Sequence, residues 1–276
     1  STVGEVYFVD NDDSDPSTDD STFVVTEEEI ENTTNDIILE ARNRIEATGT
    51  FNVTDSNLAL DSGQNLTLRT RNDTSQGDHS AGAGDEPGID LTAVDGSLVA
   101  SDGSSITIQT GHNGTGFVAP GDVEDANIVL CPITADSGNV DVAAKSTGMI
   151  TFGGPVSLGS GSLQATLDTN DNQGMSQGVN YEITAGSVAL DGGSSDSWAL
   201  GKSVTTTGNQ TYHVPVQLGS NSYSGANLTF NSSVQLIGDA VVEGNASSDA
   251  AVSFGGAVDA YDDARANTSA HGWTVN

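Results

Sequence analysis

Short alternating runs of apolar residues recur along most of the chain, and they constrain its fold more than any other feature. Most runs are three to five residues long, and Gly, Asn, Asp and Ser fill the gaps between them. Alternation with a period of two predicts strands with one buried face. The runs cover residues 37–39, 58–60, 66–68, 89–91, 106–108, 140–142, 156–158, 181–183, 188–190, 214–218, 228–230, 234–236, 240–242 and 252–254.

Two all-β folds can accommodate such strands. In an antiparallel β-sandwich, hairpins join strands of about five or six residues, whereas in a β-solenoid shorter strands stack in parallel around a narrow coil. The short runs and their Gly, Asn and Asp corners favour the solenoid, and the sandwich is the alternative. The pattern predicts a single-stranded parallel β-helix over residues 35–276, with about ten coils of about 20–25 residues.

Residues 1–34 differ from the rest and are predicted to form an N-terminal strand, an acidic loop and a short capping helix. Thr26 and Glu29 have the spacing of a capping box, which predicts a helix of about two or three turns. Within the solenoid, longer breaks at residues 71–87, 111–125, 169–179 and 192–197 predict excursions from the coil. Such excursions are where solenoids usually carry binding surfaces.

The sequence after the predicted helix resembles a known family. Residues 35–45 read NDIILEARNRI, in the pattern N-x-I-x-L-x-A-x-N-x-I, and the repeat-like segment GQNLTL follows at residues 63–68. This arrangement resembles the opening of the filamentous-haemagglutinin type of secreted β-helix, over residues 26–70. The resemblance implies a right-handed parallel β-helix, export to the cell surface and an adhesive role.

The charge of the chain excludes several classes of partner. Seven Lys and Arg against 39 Asp and Glu give a net charge of −32, with an isoelectric point near 4.1. Binding to a phosphate backbone needs clustered basic residues, so nucleic acid is excluded as a partner. No segment approaches the roughly 18 apolar residues that would span a bilayer. The many Asp and few Lys suit a protein that stays hydrated in concentrated salt.

An excess of Asn-x-Ser/Thr sequons predicts an extracellular glycoprotein with N-linked glycans. The first residue is Ser rather than Met, as expected of a chain from which a leader has been removed. Sequons mark surface positions of exported proteins, and they occur at about twice the frequency expected by chance. They are Asn32, Asn52, Asn65, Asn72, Asn113, Asn209, Asn227, Asn231, Asn245 and Asn267.

The acidic loop near the N-terminus is a candidate Ca²⁺ site. Asp10, Asp12, Asp13 and Asp15 place carboxylates close together, and Ca²⁺ prefers such hard oxygen ligands. The loop lacks the turn glycine and the final Glu of an EF-hand, so a solvated acidic loop is the alternative. The lone Cys131 lies in an apolar run, and a buried side chain is expected there.

The sequence predicts a structural protein rather than an enzyme. It contains no phosphate-binding loop or paired CxxC, and its four His have no metal-ligand spacing. β-Helices also include polysaccharide lyases and glycosidases, so a carbohydrate-active enzyme is the alternative. Surface glycans are a candidate partner under either reading.

The two ends of a solenoid predict self-association, because an exposed strand edge recruits another chain unless it is capped. The N-terminal segment provides Val3, Val6, Tyr7, Phe8 and Val9, and the C-terminal segment provides Trp273 and Val275. Pairing of one end strand with the open coil of a neighbouring copy would make a head-to-tail filament. Capping of both ends within one chain, which gives a monomeric adhesive or stalk module, is the alternative.

Overall fold

The chain folds as a parallel β-helix, as the sequence predicts. The computed structural model describes residues 5–10, 21–41, 44–48, 57–71, 88–94, 96–111, 126–145, 148–168, 176–244, 251–260 and 273–275. Apart from one five-residue helix, the regular elements of these segments are strands, and nearly all of their pairings are parallel. The antiparallel sandwich is therefore excluded.

The strands form three faces around one core. After β1 (Glu5–Asp10), β2 (Ser21–Thr26) and α1 (Glu27–Glu31), successive strands take the first, second and third face in turn. One strand from each face makes a rung, and the described strands make nine rungs. The strands are β3 (Ile37–Ala41), β4 (Arg44–Thr48), β5 (Leu58–Leu60), β6 (Asn65–Thr70), β7 (Ile89–Asp90), β8 (Leu98–Ala100), β9 (Ser105–Gln109), β10 (Ile128–Leu130), β11 (Ile133–Ala135), β12 (Asn139–Lys145), β13 (Ile150–Phe152), β14 (Val156–Ser157), β15 (Ser162–Asp168), β16 (Ser176–Val179), β17 (Ile183–Ala185), β18 (Ser187–Gly192), β19 (Ser197–Leu200), β20 (Val204–Thr206), β21 (Asn209–Tyr212), β22 (Val216–Leu218), β23 (Ser222–Gly225), β24 (Asn227–Phe230), β25 (Val234–Leu236), β26 (Ala240–Gly244), β27 (Ala251–Phe254), β28 (Val258–Ala260) and β29 (Trp273–Val275).

Each strand pairs with the strand one rung below it, so like side chains stack in columns. Alternate residues point inward and are buried, as in the buried–half-buried–buried pattern of Leu98–Ala100. On the first face, Leu66 pairs with Ile106, and Ile106 pairs with Val140. The apolar triplets of the sequence thus provide the inward columns of a narrow core, which explains how a chain with 35% hydrophobic residues folds.

The number of residues in a rung varies over a wider range than the predicted 20–25. Leu66 and its partner Ile106 are 40 positions apart, whereas Gln210 and Leu228 are only 18 apart. Nine rungs at the usual strand spacing of about 4.8 Å give a stack about 40 Å tall. The predicted length of about 20–25 residues therefore does not hold for every rung, because a rung can lengthen between its strands while the strands keep their register.

The extra residues concentrate at the corner between the first and second faces, called here the excursion corner. Residues 71–88 join β6 to β7, and residues 110–127 join β9 to β10. The predicted break at residues 169–179 is partly wrong, because Ser176–Val179 forms β16. The predicted break at 192–197 is a short turn between β18 and β19, since both strands extend into it.

The predicted capping helix is present and begins with the predicted capping box. Glu29 N donates to Thr26 Oγ1 (3.2 Å), and Thr26 N donates to Glu29 Oε2 (2.8 Å). Glu29 Oε2 also accepts a hydrogen bond from Thr26 Oγ1 (3.1 Å), and the two bonds that this carboxylate accepts from Thr26 hold the pKa of Glu29 below its ordinary value. The helix has only five residues rather than two or three turns, because Asn and Thr, which favour caps and turns, follow Glu31.

A buried amide joins the two sheets that make up the second face. β13 belongs to the lower sheet and β16 to the upper one. Between them, Gln177 Oε1 accepts a hydrogen bond of 2.8 Å from Ile150 N, in the place of a backbone carbonyl. The side chain of Gln177 is only 5% exposed, and its column continues upward with the fully buried Trp198. The side chain therefore satisfies a backbone donor that the interrupted ladder would otherwise leave unpaired.

A second buried polar group lies inside the seventh rung. The side chain of Gln210 donates to Val204 O (3.0 Å) and Ser224 O (2.7 Å), and it accepts from the hydroxyl of Tyr212 (2.7 Å). Burial raises the pKa of Tyr212 and raises the pKa of Tyr223 to about 12. Both phenols donate hydrogen bonds, Tyr212 to Gln210 and Tyr223 to Leu200 O (2.7 Å). No described helix has the length and apolar character needed to cross a membrane.

Candidate functional site

The N-terminal end of the stack is closed by the chain itself. Ile30 of α1 enters the core and is 1% exposed. The buried side chain of Gln64 donates to the carbonyl oxygens of Ile30 (3.3 Å), Thr33 (2.7 Å) and Asn35 (3.3 Å). On the third face, Glu31 Oε1 accepts a hydrogen bond of 3.0 Å from Ala59 N in the lowest strand. The helix and these side chains therefore cap an edge that would otherwise expose backbone donors.

The same end is stepped, because the second face extends beyond the first rung. β1 pairs antiparallel with β4, and β2 pairs antiparallel with β1. These two additional strands extend the second face about 10 Å beyond the N-terminal ends of the first and third faces. The N-terminal end therefore presents a projecting hairpin, with β2 as its outer edge.

The predicted N-terminal donor strand is already paired on both sides. Val6, Tyr7, Phe8 and Val9 belong to β1, which lies between β2 and β4. Val3 lies outside the described residues. Donation of β1 to another copy would require one of these two pairings to break. The sequence reveals the strand-forming residues of β1, but it does not reveal that two partners for them lie in the same chain.

At the C-terminal end the described strands stop at one level, and the inward side chains of β27 and β28 are only partly covered. β27, β28 and β29 are each the outermost strand of their sheet. The inward residues Val252, Phe254 and Val258 are half-buried. Their counterparts one rung below are at most 1% exposed, namely Leu228, Phe230 and Val234. Within the described residues, the core is therefore less completely covered at this end than at the other.

The predicted C-terminal residues Trp273 and Val275 lie in β29, at this same end. Trp273 pairs with Ala240 and Val275 pairs with Val242, both in parallel register on the third face. These residues therefore extend the stack by one strand, and the outer edge of that strand faces away from the described part of the chain. Their role in self-association stays a prediction, and the half-buried valines of β27 and β28, which the sequence pattern does not single out, lie at the same end.

The predicted Ca²⁺ ligands are mostly outside the described residues. Asp12, Asp13 and Asp15 are among those not described, and Asp10 is the last residue of β1, where it pairs with Ser21. Among the described residues there is no group of three or more His, Cys, Asp or Glu placed to hold a metal ion. The Ca²⁺ site remains a prediction. Cys131 is buried, and burial raises the pKa of its thiol to about 11.

Three of the predicted glycosylation sites belong to a column of polar residues on the first face. Asn65, Asn209 and Asn227 each begin a strand, at the same position in β6, β21 and β24. The residue after each Asn points inward, and the Thr two positions later points outward. An Asn-x-Thr sequence therefore arises from the strand periodicity itself, and it contributes to the excess of sequons.

The amides of this column link successive rungs. Asn65 Nδ2 donates to Asp36 Oδ1 (2.9 Å), and Asn65 Oδ1 accepts from Ser105 N (3.0 Å). Asn227 makes the same two kinds of bond, with Asn209 Oδ1 (2.9 Å) below and Ala251 N (3.1 Å) above. A glycan attaches at Nδ2, so modification of Asn65 or Asn227 would compete with these bonds.

The other predicted glycosylation sites fall into two groups. Asn32 and Asn231 are exposed, at the end of α1 and after β24. The column member Asn209 is exposed like these two, and its Oδ1 accepts a hydrogen bond from Asn227 Nδ2. The remaining sites, Asn52, Asn72, Asn113, Asn245 and Asn267, lie outside the described residues.

We expect mass spectrometry of tryptic and chymotryptic peptides from the native protein to find Asn65 and Asn227 unmodified. Both side chains are half-buried, and both are hydrogen bonded through nitrogen and oxygen. The exposed Asn209 is the column member expected to carry a glycan. Asn209→Gln should then reduce the mass of the protein, whereas Asn227→Gln should leave the mass of attached glycan unchanged. A glycan on Asn65 or Asn227 would contradict the expectation.

Negative charge is concentrated toward the N-terminal half of the chain. Residues 1–149 contain 28 of the 39 acidic residues and five of the seven basic ones, and residues 150–276 contain the other 11 and two. Some of the acids near the N-terminal end are paired: Arg69 Nη2 lies 2.5 Å from Glu40 Oε2, and Arg71 Nε lies 3.5 Å from Glu40 Oε1. The hydrogen bond from Arg69 lowers the pKa of Glu40. The two ends of the stack thus differ in charge as well as in covering.

No protein-family model, curated protein or solved structure matches the chain. What the protein does must therefore be inferred from the ends of its stack, its charge distribution and its outer surface. Of these, the contrast between a capped N-terminal end and a partly covered C-terminal end is the most specific.

Proposed function

We propose that the protein is an extracellular structural or adhesive solenoid that associates with further copies of itself through the C-terminal end of its stack. The observation that carries this proposal is the last described rung. Its three strands are each outermost in their sheet, and the inward valines of two of them, Val252 and Val258, are half-buried. The proposed role is mechanical and adhesive, with no catalytic function. Surface glycans are further proposed partners.

The chemistry of a strand edge supports self-association. The outer edges of β27, β28 and β29 carry backbone donors and acceptors that point along the axis of the stack. Strands of a second copy laid on these edges would pair their backbone donors and acceptors and would cover Val252 and Val258. Burial of apolar surface contributes about 25 cal/mol per Å². Backbone hydrogen bonding and valine burial therefore both favour binding of a partner at this end.

The extracellular part of the proposal is supported by the sequence. The chain is strongly acidic, and it has ten sequons, of which the strand periodicity explains three. The resemblance of residues 26–70 to secreted adhesive β-helices supports the same location. A high negative charge keeps such a protein dispersed where salt is abundant.

Substitution of one half-buried valine tests the self-association. In about 1 M salt, where charges are screened within about 3 Å, the wild-type chain is expected to sediment as an assembled species. Val252→Glu should sediment as a monomer, because it places an unpaired carboxylate in the proposed contact. The matched control is Thr205→Glu, which adds the same charge at an exposed position in the middle of the third face.

Two outcomes of the sedimentation experiment would contradict the proposal. One is a wild-type chain that remains monomeric at every protein concentration in high salt. The other is equal assembly of Val252→Glu and Thr205→Glu, since that would place the contact somewhere other than the C-terminal rung. Circular dichroism of both variants checks that each retains the β-helix.

A further inference from the structure

We infer that the C-terminal end binds the same end of a second copy, so that assembly closes as a two-fold dimer rather than growing as a head-to-tail filament. This inference rests on the self-association proposed above and specifies its partner. A two-fold contact uses one patch twice and leaves nothing free, whereas a head-to-tail contact needs two different, complementary ends.

The shapes of the two ends do not match each other. The described strands at the C-terminal end stop at one level, because β27, β28 and β29 belong to the same rung. The N-terminal end is stepped by the hairpin of β1 and β2, which projects about 10 Å on the second face. If the two ends met, β28 would contact β2 while the first and third faces stayed apart by about two strand spacings.

The N-terminal end also lacks the edge that a third-face strand would need. Ala59 N, in the lowest strand of that face, already donates to Glu31 Oε1. Inside the stack, Ile30 and Gln64 close the core and are 1% and 2% exposed. A copy arriving at this end would have to displace α1, whereas a copy arriving at the C-terminal end would meet half-buried Val252 and Val258.

Charge also favours contact between two C-terminal ends. Residues 150–276 carry a net charge of −9, and residues 1–149 carry −23. A two-fold dimer joined at the C-terminal ends places the more acidic halves at opposite extremes, which minimises their mutual repulsion. A head-to-tail chain would instead place a −23 half next to a −9 half at every contact.

The fold already contains the type of joint that a two-fold dimer needs. A two-fold axis perpendicular to the stack makes the strands that meet across it antiparallel. In the lowest part of the second face, β1 adds antiparallel to β4, and five consecutive residues pair from Glu5 with Thr48 to Val9 with Arg44. A parallel face of this solenoid thus accepts an antiparallel neighbour while keeping a continuous ladder.

Distances between spin labels on the full chain in about 1 M salt distinguish the two geometries. In a Cys131→Ala background, one label is placed at each end through Ser253→Cys or Thr34→Cys, both at exposed positions. In the dimer, the two labels at position 253 lie near each other, and the two at position 34 lie roughly 80 Å apart, about two stack heights. In a filament, both pairs are separated by about one stack height, about 40 Å.

The possible outcomes separate this inference from the proposed function. The expected result is a species of twice the monomer mass. Its two labels at position 253 give a short distance, and its two labels at position 34 are too far apart to give a short one. Equal distances of one stack height in a growing polymer would overturn the dimer but leave self-association standing. A monomer would overturn both, and protection of the amides of β27 from hydrogen exchange in that monomer would indicate that residues 261–272 of the same chain cover the end.

Discussion

In about 10 mM salt at neutral pH the protein is expected to lose its fold, and to regain it cooperatively as salt is raised toward about 1 M, where the Debye length falls from about 30 Å to about 3 Å. The reason is the net charge of −32 on 276 residues. Two like charges 10 Å apart in water repel by about 0.4 kcal/mol, and the sum over many such pairs exceeds the roughly 5–15 kcal/mol that stabilises a typical domain. Far-ultraviolet circular dichroism and urea titrations across a series of NaCl concentrations measure the effect.

Two comparisons distinguish general screening from a specific ion. NaCl and KCl at equal ionic strength should give the same free energy of unfolding. If Ca²⁺ restores folding at concentrations too low to screen charge, while Mg²⁺ does not, the predicted ligands Asp10, Asp12, Asp13 and Asp15 become the first positions to test by substitution with Asn. A urea midpoint that does not change with salt would contradict the electrostatic explanation.

Gly186→Ala is expected to reduce the free energy of unfolding by about 3 kcal/mol or more, at or above the upper end of the usual range for overpacking. Gly186 lies where the chain passes from the third face to the first, in a column with Gly161 and Gly208. Its N–H donates to Gly161 O at 2.6 Å, and an added Cβ would lie 2.1 Å from Ser160 O. Because that neighbour is backbone, the rung can relieve the clash only by moving away from the one below it.

Gly178→Ala is the matched control for this substitution. Gly178 lies in β16, and the nearest atom to an added Cβ is the Nδ2 of Asn180 at 3.6 Å, an ordinary contact. The control should be neutral or stabilising by up to about 1 kcal/mol, because Ala has less freedom to lose than Gly. Urea titration in high salt measures both variants, and equal stabilities would show that the close approach at Gly186 can relax.

Periodicity in the sequence predicts most of the strands of this fold. Apolar and polar residues alternate strictly in runs such as 66–68 and 106–108, and the apolar residues of each run become buried in the columns of the parallel stack. The capping box of Thr26 and Glu29 is equally local, and it forms as predicted. These features are predictable because they depend on residues only two or three positions apart.

Features that depend on contacts between distant rungs are not predictable in this way. The pairing of β1 with β4 joins residues about 40 positions apart, and nothing in residues 5–10 specifies it. The buried amides of Gln177 and Gln210 read as surface residues in sequence, because their partners lie on other strands. For the same reason, the sequons of the first face read as glycosylation sites although they also link rungs.

The excursion corner allows one part of the molecule to change while the rest stays fixed. On the first face, rungs whose matching residues are 18 and 40 positions apart continue the same parallel ladder. Residues added at this corner therefore lengthen a rung and leave its strand pairings unchanged. A chain built in this way can gain or lose residues at one corner without any change in the pairing of its strands.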